Sequence, residues 1–162
     1  MQHHPKLLDA EHYVARATED VRNAQKRICL ISIVMCYDEA TAEFFDAVVE
    51  AAGRGVEITV ASDMFAYSEL GGHFHFRSQF SRSIRPITEL KRRLRKAGVK
   101  MHWLGSQASS MISGRTHTKW CIVDDVVYSF GGVNMYESGI HSSDYMLRVE
   151  DGALANKLCA EQ

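Results

Sequence analysis

Between residues 117 and 134 the chain reads HTKWCIVDDVVYSFGGVN, a segment whose side chains could work together on a phosphate group. His117 supplies an imidazole that can attack phosphorus or move a proton near neutral pH, and Lys119 adds a cation two residues on. In an extended strand alternate side chains share a face, so His117 and Lys119 project together while Thr118 and Trp120 face the other way. Asp124 follows His117 at an odd spacing, which puts its carboxylate on the opposite face or in the turn that ends the strand, away from substrate. Gly131 and Gly132 then remove side chains just before Asn134, so a backbone or a ligand can come close where an amide donates to a phosphate oxygen. The expected phosphate-binding set is therefore His117, Lys119, Gly132 and Asn134. A histidine that attacks phosphorus needs a second group to protonate the leaving alcohol, yet the full His-x-Lys-x4-Asp order occurs once in 162 residues.

The elements that must position these groups are legible from periodicity. Val14, Ala17, Val21 and Ala24 form one stripe over residues 8–26, the spacing of an amphipathic helix. The run ICLISIVM, from residue 28, reads as a buried strand. Asp38 is placed to cap a helix whose inward face is Ala42, Phe45, Val48, Val49 and Ala52, with AGRG at 52–55 as its stop. VEITVASDM, 56–64, is a second strand. Pro86 opens a further helix with Ile87, Leu90, Leu94 and Ala97 inward and Glu89 four residues before Arg93, closed by Gly98. VKMHWL, 99–104, is a third strand. THTKWCIVDD and VVYSFGGVN meet at an Asp-Asp turn as a hairpin, and DYMLRVED, 144–151, is a last strand before a short helix. Strands alternating with helices and then a hairpin predict an α/β sandwich with a mixed, largely parallel sheet flanked by helices. The irregular stretch is an insertion at 65–86, longer than an ordinary connection.

With 46% apolar residues the chain can build one core and is too short for two. The longest apolar run, ICLISIVMCY, is about half of what a bilayer crossing needs. The N-terminus lacks the order of a secretory signal, and Cys29, Cys36, Cys121 and Cys159 show no metal or disulfide spacing, which points to a reducing, cytoplasmic setting. A net charge of −1 gives no general case for nucleic-acid binding. The charge is uneven, however: nine cations from Arg77 to Lys100 face a single acid, Glu89, and the expected reading is a solvated helix face, with attraction to a membrane surface or polyanion as the alternative. His73 and His75 have the spacing of metal ligands but no third partner, so they are read as loop residues and no metal is expected. Phe65, Tyr67, Phe74, Phe76 and Phe80 would serve as a lipid-contacting lid or as a packed loop.

The segment reproduces His-x-Lys-x4-Asp-x6-Gly-(Gly/Ser)-x-Asn at His117, Lys119, Asp124, Gly131, Gly132 and Asn134, and so resembles the signature of the phospholipase D superfamily. The flanking AAGRGVEITVASD, KAGVKMHWL and DYMLRVED look similar to the order found in bacterial cardiolipin synthases and related phosphatidyltransferases. That resemblance implies phosphodiester hydrolysis or transphosphatidylation through a phosphohistidine, with no metal or other cofactor. Two such motifs face each other in that family, one histidine attacking phosphorus while the other protonates the leaving alcohol. Residues 1–162 then form a single phospholipase-D-like domain, the N-terminal half of a longer two-motif enzyme acting on phospholipids, for which peripheral contact with the membrane is open. The alternative is a homodimeric single-motif phosphodiesterase or nuclease, in which a second copy supplies the other histidine and nucleic acid is the substrate. By the same resemblance His117 is nucleophile or acid/base, Lys119 and Asn134 are phosphate ligands, Asp124 is structural, and a carboxylate after the motif orients the histidine: Asp144 first, Glu137 second.

Overall fold

The computed structural model describes residues 4–63, 77–104 and 117–160. Their elements are β1 (Lys6–Asp9), α1 (Ala10–Asn23), β2 (Arg27–Ser32), α2 (Ala42–Gly53), β3 (Glu57–Asp63), α3 (Arg77–Lys96), β4 (Lys100–Leu104), β5 (Trp120–Val123), β6 (Val126–Ser129), α4 (Glu137–Ile140), β7 (Tyr145–Glu150) and α5 (Gly152–Ala160). The strands form one sheet in the order β1-β7-β6-β5-β2-β3-β4. β2, β3 and β4 run parallel, joined by crossings that contain α2 and α3, whereas every pairing from β2 through β5, β6 and β7 to β1 is antiparallel. The sheet is mixed, as expected, but its antiparallel part is the larger, because β5 and β6 are joined by a two-residue turn that cannot make a parallel crossover.

Alternation along the strands divides the core. Leu30 of β2 and Cys121 and Val123 of β5 join the main core with Tyr13 and Val21 of α1, Phe44 and Val48 of α2 and Leu90 and Leu94 of α3. The neighbours in register, Cys29 and Ile122, point the other way and meet Ala155 of α5. α1, α2 and α3 thus cover one face of the sheet, and α5 covers part of the other.

Three boundaries differ from the sequence reading. Residues 6–9 pair with β7 as an edge strand, and α1 begins only after Asp9, whose carboxylate accepts the N–H of His12 at 2.9 Å as its N-cap. The edge pairing is a long-range contact that local periodicity does not show. Pro86 lies inside α3 rather than at its start. The missing N–H and ring clash cost a helix interior about 3 kcal/mol, and here the buried Ile87, Leu90 and Leu94 hold the helix against the core while the Pro86 carbonyl accepts from the Tyr37 N–H at 3.0 Å. In α2 the buried residues are Phe44, Phe45, Ala47, Val48 and Ala51, since the helix packs against both α1 and α3 and needs a broader face than one stripe. The N-cap of α2 is Thr41, whose hydroxyl makes no capping bond to the helix. Asp38 instead ties loops together, accepting the Thr41 hydroxyl at 2.9 Å and the Glu137 N–H at 2.7 Å.

Glu89 meets Arg93 at 2.7 Å and Arg92 at 2.6 Å, as the helical spacing predicts. These pairs hold the Glu89 carboxyl well below its usual range. Residues 65–76 of the insertion lie outside the described residues, and with them the His73/His75 pair and most of the expected aromatic lid; residues 77–86 are helix. Among the described residues no helix is long and apolar enough to cross a membrane, and no cluster of three or more metal-ligating side chains occurs.

Candidate active site

β5 starts, β6 ends and β7 starts at the same end of the sheet, and a cavity of 510 Å³ opens there. Its walls include His117, Lys119, Gly131, Gly132, Asp144 and Leu158. His117 is exposed, while Lys119 is 5% exposed. The Lys119 ammonium donates to the His117 carbonyl at 3.0 Å and lies 3.3 Å from His117 Nδ1. Burial lowers the Lys119 pKa and the nearby Asp144 charge opposes this, leaving it below the usual lysine value.

The expected pairing of His117 with Lys119 is therefore present in the geometry. Their strict separation from Thr118 and Trp120 is not, because β5 begins only at Trp120 and all four residues border the cavity. Trp120 also packs on α5, and its indole N–H is buried without a hydrogen-bond partner among the described residues.

Asp124 does what its spacing implied. It occupies the β5–β6 turn with φ of 52°, a left-handed conformation that Asp tolerates better than most residues. Its carboxylate accepts the backbone N–H groups of Gln25, Lys26 and Arg27 at 2.9, 2.8 and 3.0 Å, while Arg27 donates to its carbonyl. Partial burial pushes this carboxyl up, but the three N–H bonds outweigh it and the pKa falls below 3.8. Asp124 thus clamps the entry of β2 to the motif hairpin. Asp124→Ala is expected to destabilise the fold by about 2 kcal/mol, since three backbone donors, the Arg27 N–H among them part-buried, lose a charged acceptor. In urea titrations the difference from wild type should be full above pH 3.8, the ordinary carboxyl value, and vanish as pH falls through the lowered one.

The glycines admit a close approach by the start of β7 and the residue before it, and both also border the cavity. A Cβ on Gly131 would lie 1.7 Å from the Tyr145 carbonyl oxygen, and one on Gly132 would lie 2.2 Å from Asp144 Oδ2. Asp144 is thereby seated against the loop, where its charge acts on Lys119. No hydrogen bond joins it to His117 among the described residues, so its geometry supports a role toward the lysine rather than the expected orientation of the imidazole. Glu137 begins α4 and borders a different cavity with Glu11, Glu43 and His141. Asn134 belongs to the same end of the sheet but does not line the cavity: its Oδ1 accepts from Ser32 Oγ at 3.1 Å and the Val34 N–H at 3.4 Å, which pins the amide to the end of β2.

Sequence reasoning missed two residues at the rim. Phe130 is 61% exposed with φ of 56°, and Tyr145 is 47% exposed; both border the cavity. The sequence carries no signal for the exposure of Phe130, which comes with a left-handed backbone that is costly for a bulky residue.

Comparison with known proteins places this site in context. The family model described as cardiolipin synthase, PLD-like domain, matches residues 18–161. Cardiolipin synthase B of Salmonella typhimurium is 26% identical over 139 residues, which are 86% of this chain and 30% of that protein. The chain therefore spans about 30% of the length of this curated relative. Among solved structures, Nuc, a phospholipase D family member from Salmonella typhimurium, superposes with a TM-score of 0.66 at 14% identity, covering 98% of this chain and 91% of that one. Phosphatidylserine synthase of Haemophilus influenzae gives 0.71 at 15% identity, over 96% of this chain and 35% of that one. At these identities the structures establish a shared fold.

Proposed function

The chain belongs to the cardiolipin synthase, phospholipase-D-like domain family, and from that premise we propose that it carries one motif of a phosphatidyltransferase acting on phospholipids through a phosphohistidine. The observation that supports this most is the buried Lys119 ammonium held beside His117 at the floor of an open cavity. In the proposed first step the imidazole attacks phosphorus, a nitrogen–phosphorus bond forms, and the ester bond to the leaving alcohol breaks. A histidine of the second motif gives that alkoxide its proton. An incoming alcohol or water, deprotonated by the same group, then attacks phosphorus and restores His117. Lys119 balances the charge on the phosphoryl oxygens and acts strongly because it is withdrawn from water. Asn134 stands outside the cavity lining, and its proposed part is to approach a bound phosphate from the end of β2 through its amide NH2, its oxygen being pinned to Ser32 and Val34. The second motif comes from the remainder of a longer chain or from a second copy.

The test is turnover of phosphatidylglycerol vesicles by the full-length protein, followed as glycerol release and formation of the transfer product. Absence of both, with cleavage of DNA instead, would overturn the lipid reading. The second reading, a homodimeric phosphodiesterase or nuclease, draws on the fold shared with Nuc, a phospholipase D family member. A strictly monomeric chain without diesterase activity at micromolar concentration would exclude it.

Lys119 sets an expected pH dependence. It must stay protonated to hold phosphate, so activity should fall on the alkaline side at a lower pH than an ordinary lysine implies. Asp144→Asn removes the charge that supports the ammonium and should move that limb lower still. An unmoved alkaline limb in kcat/KM would contradict the proposed role of Asp144.

A further inference from the structure

α5 packs over part of the sheet beside the cavity, and a pair of sulfurs lies beneath it. Ala155 is its buried residue, while Leu154, Leu158 and Cys159 pack half-buried, with Trp120, on Cys29, Ile122 and Val127. Leu158 and Trp120 also line the His117 cavity, so the seating of α5 shapes that wall. Cys29 points toward α5 from β2, and Cys159 reaches it from the last turn of the helix, their Sγ atoms 2.6 Å apart across 130 positions of sequence. All four cysteines are free thiols. The other two have different partners: Cys36 Sγ donates to Asp38 Oδ2 at 3.0 Å, and Cys121 is fully buried in the main core.

We propose that Cys29 and Cys159 are an oxidisable thiol pair, and that a hydroperoxide converts them to a disulfide that ties α5 to the sheet beside the His117 cavity. Cys159 is the more exposed thiol and the one that meets the oxidant. Its sulfur takes one oxygen from the hydroperoxide, giving a sulfenic acid and an alcohol, or water where the oxidant is hydrogen peroxide. The Cys29 sulfur then attacks the sulfenic sulfur, the sulfur–sulfur bond forms, and the hydroxyl leaves with the Cys29 proton as water. A dithiol reductant reverses the sequence by exchange. Burial, aided by the neighbouring Cys159, pushes the Cys29 thiol up to about 12, which makes Cys29 the poorer target for the oxidant of the two. The closed bond spans a long loop and so removes freedom chiefly from the unfolded chain, while in the folded state it fixes Leu158. Nothing in this inference rests on the phosphodiesterase reading.

The experiment treats the reduced protein with hydrogen peroxide, removes the excess, counts thiols by maleimide labelling in denaturant, and maps linked peptides by fragmentation. The expected result is loss of two of the four thiols in an intramolecular Cys29–Cys159 link. The melting temperature should rise on oxidation and return with dithiothreitol. Cys36→Ser should behave as wild type, and Cys159→Ser should show neither the link nor the rise; its site is a half-buried helix end, which tolerates the change. Four thiols left free under peroxide sufficient to oxidise a small thiol control, a link through Cys36 or Cys121, or only intermolecular dimers would each overturn the proposal.

Discussion

Replacing His117 with alanine is expected to lower turnover of the full-length enzyme by roughly 10⁴-fold or more, the scale of losing a nucleophile or the proton-transfer group that acts with it. The side chain is exposed and its recorded contact is a loose one with Lys119, so the fold should survive and the thermal melt should match wild type. The decisive measurement is a single-turnover reaction with phosphatidylglycerol labelled in the phosphatidyl group, quenched in denaturant and split between acid and base. Wild type should trap an acid-labile, base-stable adduct. His117→Ala should trap none if this histidine attacks first. A variant that accumulates the adduct but cannot release it assigns His117 the proton-transfer role, and a variant with normal formation and release sinks any catalytic role for it.

Much of this site is legible in the sequence because strand parity and glycine placement are local rules. The turn position of Asp124 follows from its odd spacing and the hairpin from the Asp-Asp turn between apolar runs, whereas His117 and Lys119 meet at the cavity without strict strand parity, since β5 begins only at Trp120. What is not legible depends on elements far away in sequence. β1 exists only because β7 offers an edge, and α3 runs through Pro86 only because three buried side chains hold it to the core. The two carboxylates proposed after the motif cannot be ranked by spacing. The packing of Asp144 against Gly132 brings it to the cavity, while α4 takes Glu137 elsewhere. The double glycine is recognisable as a place of close approach, but the sequence does not say that β7 is what approaches.

That last point separates the two glycines by experiment. Gly131→Ala should be the most destabilising single methyl addition in the motif. Its Cβ would sit 1.7 Å from the Tyr145 carbonyl oxygen, a backbone atom at the first position of β7. Backbone cannot rotate away as a side chain can, and the same oxygen accepts the Gly132 N–H at 3.1 Å, so relief requires β6 and β7 to part. A loss of about 3 kcal/mol, the upper end for overpacking, is expected in urea denaturation. Gly132→Ala meets the Asp144 carboxylate instead, with 2.2 Å to Oδ2. A carboxylate can swing aside, so stability should drop far less, but the charge that supports the Lys119 ammonium then leaves its seat. Gly132→Ala should therefore fold, lose activity, and shift its alkaline limb downward as Asp144→Asn does. Combining Gly132→Ala with Asp144→Asn should move that limb little beyond either change alone, because both act through one charge. Fully additive shifts would show that the Gly132 methyl disturbs Lys119 by some route other than Asp144.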